Sequence, residues 1–368
     1  MTTQTLRDSR RHQLEARIND YHSVTVAEVL EVIDYLRDDK DSVIAGGSLA
    51  VGLGNRLSDL DVVIAGEQSV VSSRVPLEHF VRSLRVDVWK MSKALIDDVF
   101  ERAERGLSQP GRLDDLFANV DDEVNLKLLH RIAFGITLDG PGLAAGPPRD
   151  HVAIARNVVV REYAERMREH AFLAQLSVAH DRPLAAAVNA RDAVEEALHA
   201  AITASGVPFT GHKWLQERLA NDVPDLRILY APFATLPAAG EEYERFVLTA
   251  IEQCEALAGI TLAADRLSSQ CRWANTDLVL AEAGDSPLLL SANVGGLWQL
   301  DDTEADAWRV LMAAVDGSRS SLVDWSCSGL DQAQAALCFD LYERGLLKLI
   351  WCCGVPLSDL NFATGSPR

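Results

Sequence analysis

The sequence is short of positive charge. Its 35 Lys and Arg stand against 54 Asp and Glu, a formal net charge of −19. A protein that neutralises many nucleic-acid phosphates is usually basic, at least locally. Here only Arg7, Arg10, Arg11 and Arg17 cluster, with no basic stripe beyond them, so nucleic acid is not the expected partner. Long apolar runs are also missing. None reaches the ~18–20 residues a membrane span needs, and the opening MTTQTLRDSRRHQLEAR has no apolar signal-peptide core. No membrane insertion and a cytoplasmic location are therefore expected. Cysteine is sparse: Cys254, Cys271, Cys327, Cys338, Cys352 and Cys353, none in a C-x-x-C pair. That pattern argues against a zinc ribbon or a thioredoxin-type site and predicts buried free thiols.

What remains is ordinary globular composition, 48% hydrophobic and 24% charged over 368 residues, enough for two or three domains. Residues 24–37 read as an amphipathic helix. DSVIAGG is a short strand running into glycine, SLAVGLG a short helix or turn, LDVVIAG a second strand and LRVDVWK, residues 84–90, a third. Helical patterns fill SKALIDDVFERAERG and VNLKLLHRIAFG. The Gly/Pro-rich LDGPGLAAGPPRD marks a boundary. These segments predict an α+β domain with a mixed sheet over residues 1–148. Long alanine-rich helices then predict a helical bundle over 149–262. Residues 263–368 read as a hairpin, short helices and a closing strand, with Trp308, Leu311, Met312 and Val315 on one helical face and Ala335, Cys338, Phe339 and Tyr342 on another. Such a unit suggests a small winged-helix-like domain.

The informative stretch is AGGSLAVGLGNRLSDLDVV, residues 45–63. In a strand, residues i and i+2 face the same way, so Asp59 and Asp61 project together while Leu60 and Val62 enter the core. Two carboxylates that close repel, and a bound cation relieves the cost. Magnesium suits them, since it takes oxygen ligands, commonly one or two carboxylates plus substrate phosphates. Gly46 and Gly47 allow backbone N–H groups to approach a phosphate, and Ser48 begins a short helix whose N-terminus favours an anion. Phosphates and a metal in one pocket point to phosphoryl or nucleotidyl transfer. Asp87, in RVDVW, is the candidate third carboxylate, provided its strand neighbours the first two. The plainer alternative is a glycine turn, with the aspartates paired to Arg56 or Arg85; an Asp87 facing away from the other two, or an arginine in that corner in place of an ion, would overturn the catalytic assignment.

Gly-Gly-Ser, ten further residues, Asp-x-Asp and a later Asp on a strand together resemble the DNA-polymerase-β-like nucleotidyltransferase superfamily. The resemblance implies that Gly46, Gly47 and Ser48, with Ser58 beside them, contact the triphosphate. It implies that Asp59, Asp61 and Asp87 bind two Mg²⁺ ions, or Mn²⁺, and carry catalysis. It implies an NTP donor, with ATP the expected one, and release of pyrophosphate. The alanine-rich helices and GHKWLQERL resemble the bundle of the antibiotic-modifying, small-molecule members, which implies a small-molecule acceptor in the cleft and Lys213 reaching the triphosphate. Lys213 also reads as a solvated helix-start lysine beside a core tryptophan. Asp192, Glu195 and Glu196 include a candidate general base, whereas His130 and Arg131 read as structural.

The tail resembles PqqD-like peptide-recognition domains through Trp308, VDGSRS and LYERGLL, which implies a peptide partner bound by β-augmentation. Residues 271–368 hold thirteen acidic residues against six basic ones, which disfavours a DNA-reading winged helix. A cap or a homodimerisation unit is the other use of such a tail. The expected function is thus Mg²⁺-dependent transfer of an NMP to a small molecule. The alternatives are nucleotidylation of a peptide or protein held by the tail, RNA tailing, and a non-catalytic binding module.

Overall fold

The computed structural model describes residues 3–67, 75–109, 128–140, 150–206, 212–221, 223–238, 242–275, 278–283, 286–291, 296–313 and 323–362. The N-terminal part is built on a five-stranded sheet of β1 (Ser42–Gly46), β2 (Leu60–Gly66), β3 (Leu77–Val81), β4 (Leu84–Ser92) and β5 (Ile136–Asp139), in the order β3-β4-β2-β1-β5. The sheet is mixed: β2 runs parallel to β4, and the other pairs are antiparallel. β1 and β2 are buried along their whole length, as expected of strands covered on both faces.

Period-two alternation sorts the apolar residues. Val43, Ala45, Leu60, Val62, Ile64, Val86 and Val88 share one core with α1 (Thr3–His22) and α2 (Val26–Ile33). Ile44, Val63, Ala65, Trp89 and Met91 share a second with α4 (Lys93–Leu107), a helical segment at 128–133 and the start of a long helix, α5 (His151–Ala179). Thr25 starts α2 with a capping box: its side chain accepts from the Glu28 N–H, and Glu28 accepts from the Thr25 N–H.

α5 then leaves the sheet and packs along α6 (Pro183–Ala204), and α9 (Glu242–Ala258) covers both. Buried alanines at 186, 190, 193, 197, 200 and 201 let the helices approach closely. The bundle and the tail share a single continuous core, running from Val159 through Trp273 and Trp308 to Phe362. The hairpin expected in the tail is present as β7 (Leu278–Ala283) and β8 (Ser286–Ser291), and β9 (Gly296–Gln299) extends it to a three-stranded sheet. A separate sheet has the order β10-β6-β11, with β6 (Cys271–Asn275) between β10 (Val323–Ser326) and β11 (Lys348–Trp351). Two α-helices, α11 (Asp302–Ala313) and α12 (Gln332–Glu343), pack on each other. Three helices and a wing were expected. Among the described residues there are three α-helices, the five-residue Ala264–Ser268 besides α11 and α12, and the closing strand pairs with β6. Val315 and the VDGSRS segment lie outside the described residues, as does the linker at 141–149.

All six cysteines are free. Cys254, Cys271 and Cys338 are buried and Cys352 is exposed. Among the described residues no helix is long and apolar enough to cross a membrane.

Arg161, on α5, ties the sheet domain to the bundle. It is 1% exposed, donates to the carbonyls of Gly106 and Gln109 at 2.8 and 3.1 Å, and pairs with buried Glu165 at 3.1 Å. Removing one partner of such a buried pair costs about 3–5 kcal/mol, whereas replacing both with apolar residues costs little. Arg161→Ala is expected to lower stability in urea unfolding by about that amount, and Arg161→Met with Glu165→Met to recover most of it.

Candidate functional site

The sequence left open whether Asp87 stands near Asp-x-Asp. Strand register supplies the answer. Asp61 pairs across the sheet with Gly46 on one side and with Asp87 on the other, and Asp87 pairs in turn with Glu78. A row Gly46–Asp61–Asp87–Glu78 therefore crosses four strands at one end of the sheet. Side chains directly opposite share a face, so the two aspartates lie on the face that carries Val63 and Trp89, just where that apolar core ends. Asp59 immediately precedes the strand, half-buried, and makes no hydrogen bond or ion pair among the described residues.

The two glycines serve close approaches in this corner. Gly47 has φ +72°, the left-handed region, and a Cβ there would lie 1.9 Å from Asp61 Oδ2. A Cβ on Gly46 would lie 2.9 Å from Cβ of Arg131. One glycine thus makes room for the carboxylate and the other for an arginine. The helix that Ser48 enters is α3 (Gly47–Val51), only five residues. The helix-dipole argument made from the sequence is corrected accordingly, because one turn aligns too few peptides to matter. Ser48 is buried, and its hydroxyl has no hydrogen-bond partner among the described residues. The Ser58 hydroxyl is engaged in a local turn, accepting from the Asn55 N–H at 3.0 Å and donating to the Asn55 side chain at 3.4 Å.

Arginines face the carboxylates. Arg131 Nε donates to Asp61 Oδ1 at 3.1 Å, and its guanidinium lies 4.0 Å over the Trp89 ring. Arg85 grips Asp87 with two bonds, Nε to Oδ1 and Nη2 to Oδ2, both 2.8 Å, and also reaches Glu78 at 3.0 Å. Arg56 pairs with neither aspartate. Asp61 feels the crowding. Burial pushes its pKa up, the charges of Asp59 and Asp87 add to the rise, and Arg131 opposes it. His130, beside Arg131, packs against Phe134, and burial holds its pKa down at about 3, so it is neutral.

All-carboxylate oxygen donors fit a hard divalent cation in kind. In placement, the carboxylates turn toward guanidiniums rather than toward one another. Among the described residues no set of three or more His, Cys, Asp or Glu side chains is arranged to hold a metal ion.

The bundle residues singled out from the sequence have surroundings of their own. Lys213 is exposed on a 3₁₀ turn, His212–Trp214, 5.2 Å above the ring of buried Trp214, with no hydrogen bond or ion pair among the described residues. Asp192 pairs with Arg191, and Glu195 accepts from the Tyr230 hydroxyl at 2.7 Å. Glu196 is buried, and desolvation pushes its pKa up to about 8 even with Arg166 opposing the rise.

Sequence reasoning missed Arg131 as a member of the site. The signal available was an arginine inside the apolar LLHRIAFG segment, but nothing local ties it to a residue 70 positions earlier.

The chain matches no known family model, and no curated protein matches it. Among solved structures, a nucleotidyltransferase-like protein from Exiguobacterium sibiricum 255-15 aligns at 10% identity over 63% of this chain and 73% of that chain, with a TM-score of 0.34. A likeness that loose carries no argument about this chain.

Two outcomes are expected. Gly47→Ala combines left-handed strain with a clash against Asp61 and should cost about 2 kcal/mol or more, read as a lowered thermal midpoint. Glu196 stays protonated in the fold up to about pH 8, but ionises near 4.5 when unfolded. Its contribution to stability is complete below pH 4.5 and is lost as pH rises through about 8, at up to about 1.4 kcal/mol per pH unit. Glu196→Gln should flatten that slope in denaturant titrations between pH 5 and 8.

Proposed function

We propose that this chain is a nucleotidyltransferase that moves an NMP from an NTP to a nucleophile on a small molecule, with Asp59, Asp61 and Asp87 as the carboxylates that hold divalent ions. One observation carries the proposal: the in-register placement of Asp61 beside Asp87 and opposite Gly46, with Gly47 abutting the Asp61 carboxylate. Residues remote in the chain are brought to one sheet end, at an energetic cost visible in the raised Asp61 pKa. A purely structural role explains poorly why three acids are gathered in one corner, where the charges of Asp59 and Asp87 add to what burial already does to Asp61.

Bound Mg²⁺ or Mn²⁺ would neutralise the triphosphate and stabilise the leaving oxygen. This chain's own residues do the rest. Asp59, with no hydrogen bond or ion pair among the described residues, would offer its oxygens to a cation directly. Strand pairing holds the backbones of Asp61 and Asp87 side by side, and their carboxylates would turn from the guanidiniums to take up an ion. Gly46, Gly47 and Ser48 shape the adjoining loop, and the buried Ser48 hydroxyl is available to a phosphate oxygen. Lys213 is proposed as a contact for the triphosphate, and Asp87 as the group that orients the acceptor.

The arginine pairs favour a second reading, a non-catalytic binding module in which guanidiniums take the place of ions. Arg85 is 44% exposed, but it holds a nearly buried Asp87 through two bonds, the geometry in which such a pair is strongest. A bound divalent ion would have to displace that guanidinium, and the assay below decides between the two readings.

The test is incubation with each labelled NTP, Mg²⁺ or Mn²⁺ and candidate acceptors, with Asp59→Asn/Asp61→Asn as control. Pyrophosphate release is expected to fall by about 10³-fold or more in the double variant. Turnover that survives the double substitution removes the metal assignment, and inertness of the wild type with every NTP selects the non-catalytic reading.

A further inference from the structure

The two arginines at the site are not equivalent. Arg85 is mostly engaged: its Nε and Nη2 are taken up by Asp87 and Glu78, which leaves two of its five donors, those on Nη1. Arg131 uses Nε alone, on Asp61. An arginine carries five N–H donors, four of them on the terminal nitrogens. The four on Arg131 have no hydrogen-bond partner among the described residues. The group is nonetheless rigidly mounted. Its Cβ packs against Gly46, its Nε is anchored by Asp61, and its plane lies over Trp89. Its side chain is 21% exposed, so the free edge is reachable from solvent.

A planar fork of parallel donors, preset in orientation and left open, matches a phosphate or carboxylate group that accepts two bonds at once. Asp61 fixes the guanidinium from behind, and Trp89 prevents it from turning. The arginine stem lies against Gly46, and Asp61, which holds Nε, lies against Gly47, so the group is mounted next to the Gly-Gly-Ser loop.

We propose that Arg131 is a phosphate-binding residue of this site, taking two oxygens of the donor's polyphosphate on its terminal nitrogens while Nε stays on Asp61. The assignment rests on the nucleotidyltransferase reading for the identity of the ligand, and on the unfilled donors for the site itself. It makes Asp61 bifunctional, since one oxygen holds the arginine and the other faces Gly47.

The experiment uses the full-length chain and inorganic tripolyphosphate as the probe, titrated calorimetrically in Mg²⁺ and in EDTA, together with ATP turnover. The wild type is expected to bind tripolyphosphate. Arg131→Ala should weaken that binding by about tenfold or more, and Arg131→Lys by nearly as much, because a lysine keeps the charge and loses the fork. Arg85→Ala should change it by less than about threefold, because that arginine's Nε and Nη2 are already engaged by Asp87 and Glu78 and leave it no open two-nitrogen fork. Circular dichroism reports whether each variant folds, and Arg131→Lys decides the matter if Arg131→Ala does not. Equal affinity in the wild type and a folded Arg131 variant overturns the proposal, as does a wild type that binds no tripolyphosphate. If binding depends on Arg131 but no NTP is turned over, the fork stands and the transferase reading fails. If NTP is turned over with Arg131→Lys matching the wild type in affinity, the transferase reading stands and the fork fails.

Discussion

The structure of the candidate site depends on how like charge is tolerated at one end of a buried sheet. Asp61 is 9% exposed and Asp87 is 4% exposed, and register sets them side by side on adjacent strands. Two carboxylates so placed cannot both ionise without counter-charge. The fold supplies it from two directions. Arg85 comes from the same strand, two residues before Asp87, so alternation delivers it to the same face at no cost in topology. Arg131 comes from the far side of the domain, on a helical segment that must pack against β1. That packing is possible only because residue 46 is glycine. Gly46, Asp61, Arg131 and Trp89 therefore constrain one another, although they come from four separate segments of chain.

This arrangement explains why the glycine pair is not simply a phosphate loop. Each glycine meets a different steric demand, Gly46 from the arginine stem and Gly47 from the carboxylate, and only Gly47 needs the left-handed backbone. A motif that looks like one ligand-binding element is at least two packing solutions side by side. They create the room in which a ligand could sit, and they fix the acidic groups before any ligand arrives. Preorganisation of that kind is what electrostatic catalysis requires.

Local pattern made the elements legible. The strand LDVVIAG is observed with those bounds, as β2, because its apolar run is bounded by charge and glycine. The alternation in LRVDVWK reads out directly as β4. Leu77–Val81 escaped notice because an edge strand with exposed Leu77 and Phe80 lacks a buried face to alternate against. Ile136–Asp139 is too short to show a period. Register was not legible at all. Whether Asp87 lies beside Asp61 depends on β4 inserting parallel next to β2, and neither strand's sequence encodes its neighbour. The Arg131 contact was hidden for the same reason, since an ion pair across 70 residues has no periodicity. In the tail, helix faces were correctly apolar at Trp308, Leu311, Cys338 and Phe339, yet face polarity does not specify which sheet edge a closing strand will join. Leu349 and Trp351 are buried against the bundle core, and that shared core, rather than any wing geometry, sets where β11 lies.

The overall charge of −19 sharpens what the site must do. A free triphosphate approaching such a surface is repelled at long range, and at physiological salt the repulsion is screened only beyond ~8 Å. Attraction must then come from short-range, local positive groups. At the acidic row these are few: Arg85, already committed, and Arg131, whose outer edge is open. A polyanion has two ways to be welcome there. It can carry its own cations to Asp59 and its neighbours, or it can be met by a fixed guanidinium. The carboxylate row suits the first way and Arg131 the second. Asp61 holds the arginine, and under the proposed function the same side chain would also receive a cation.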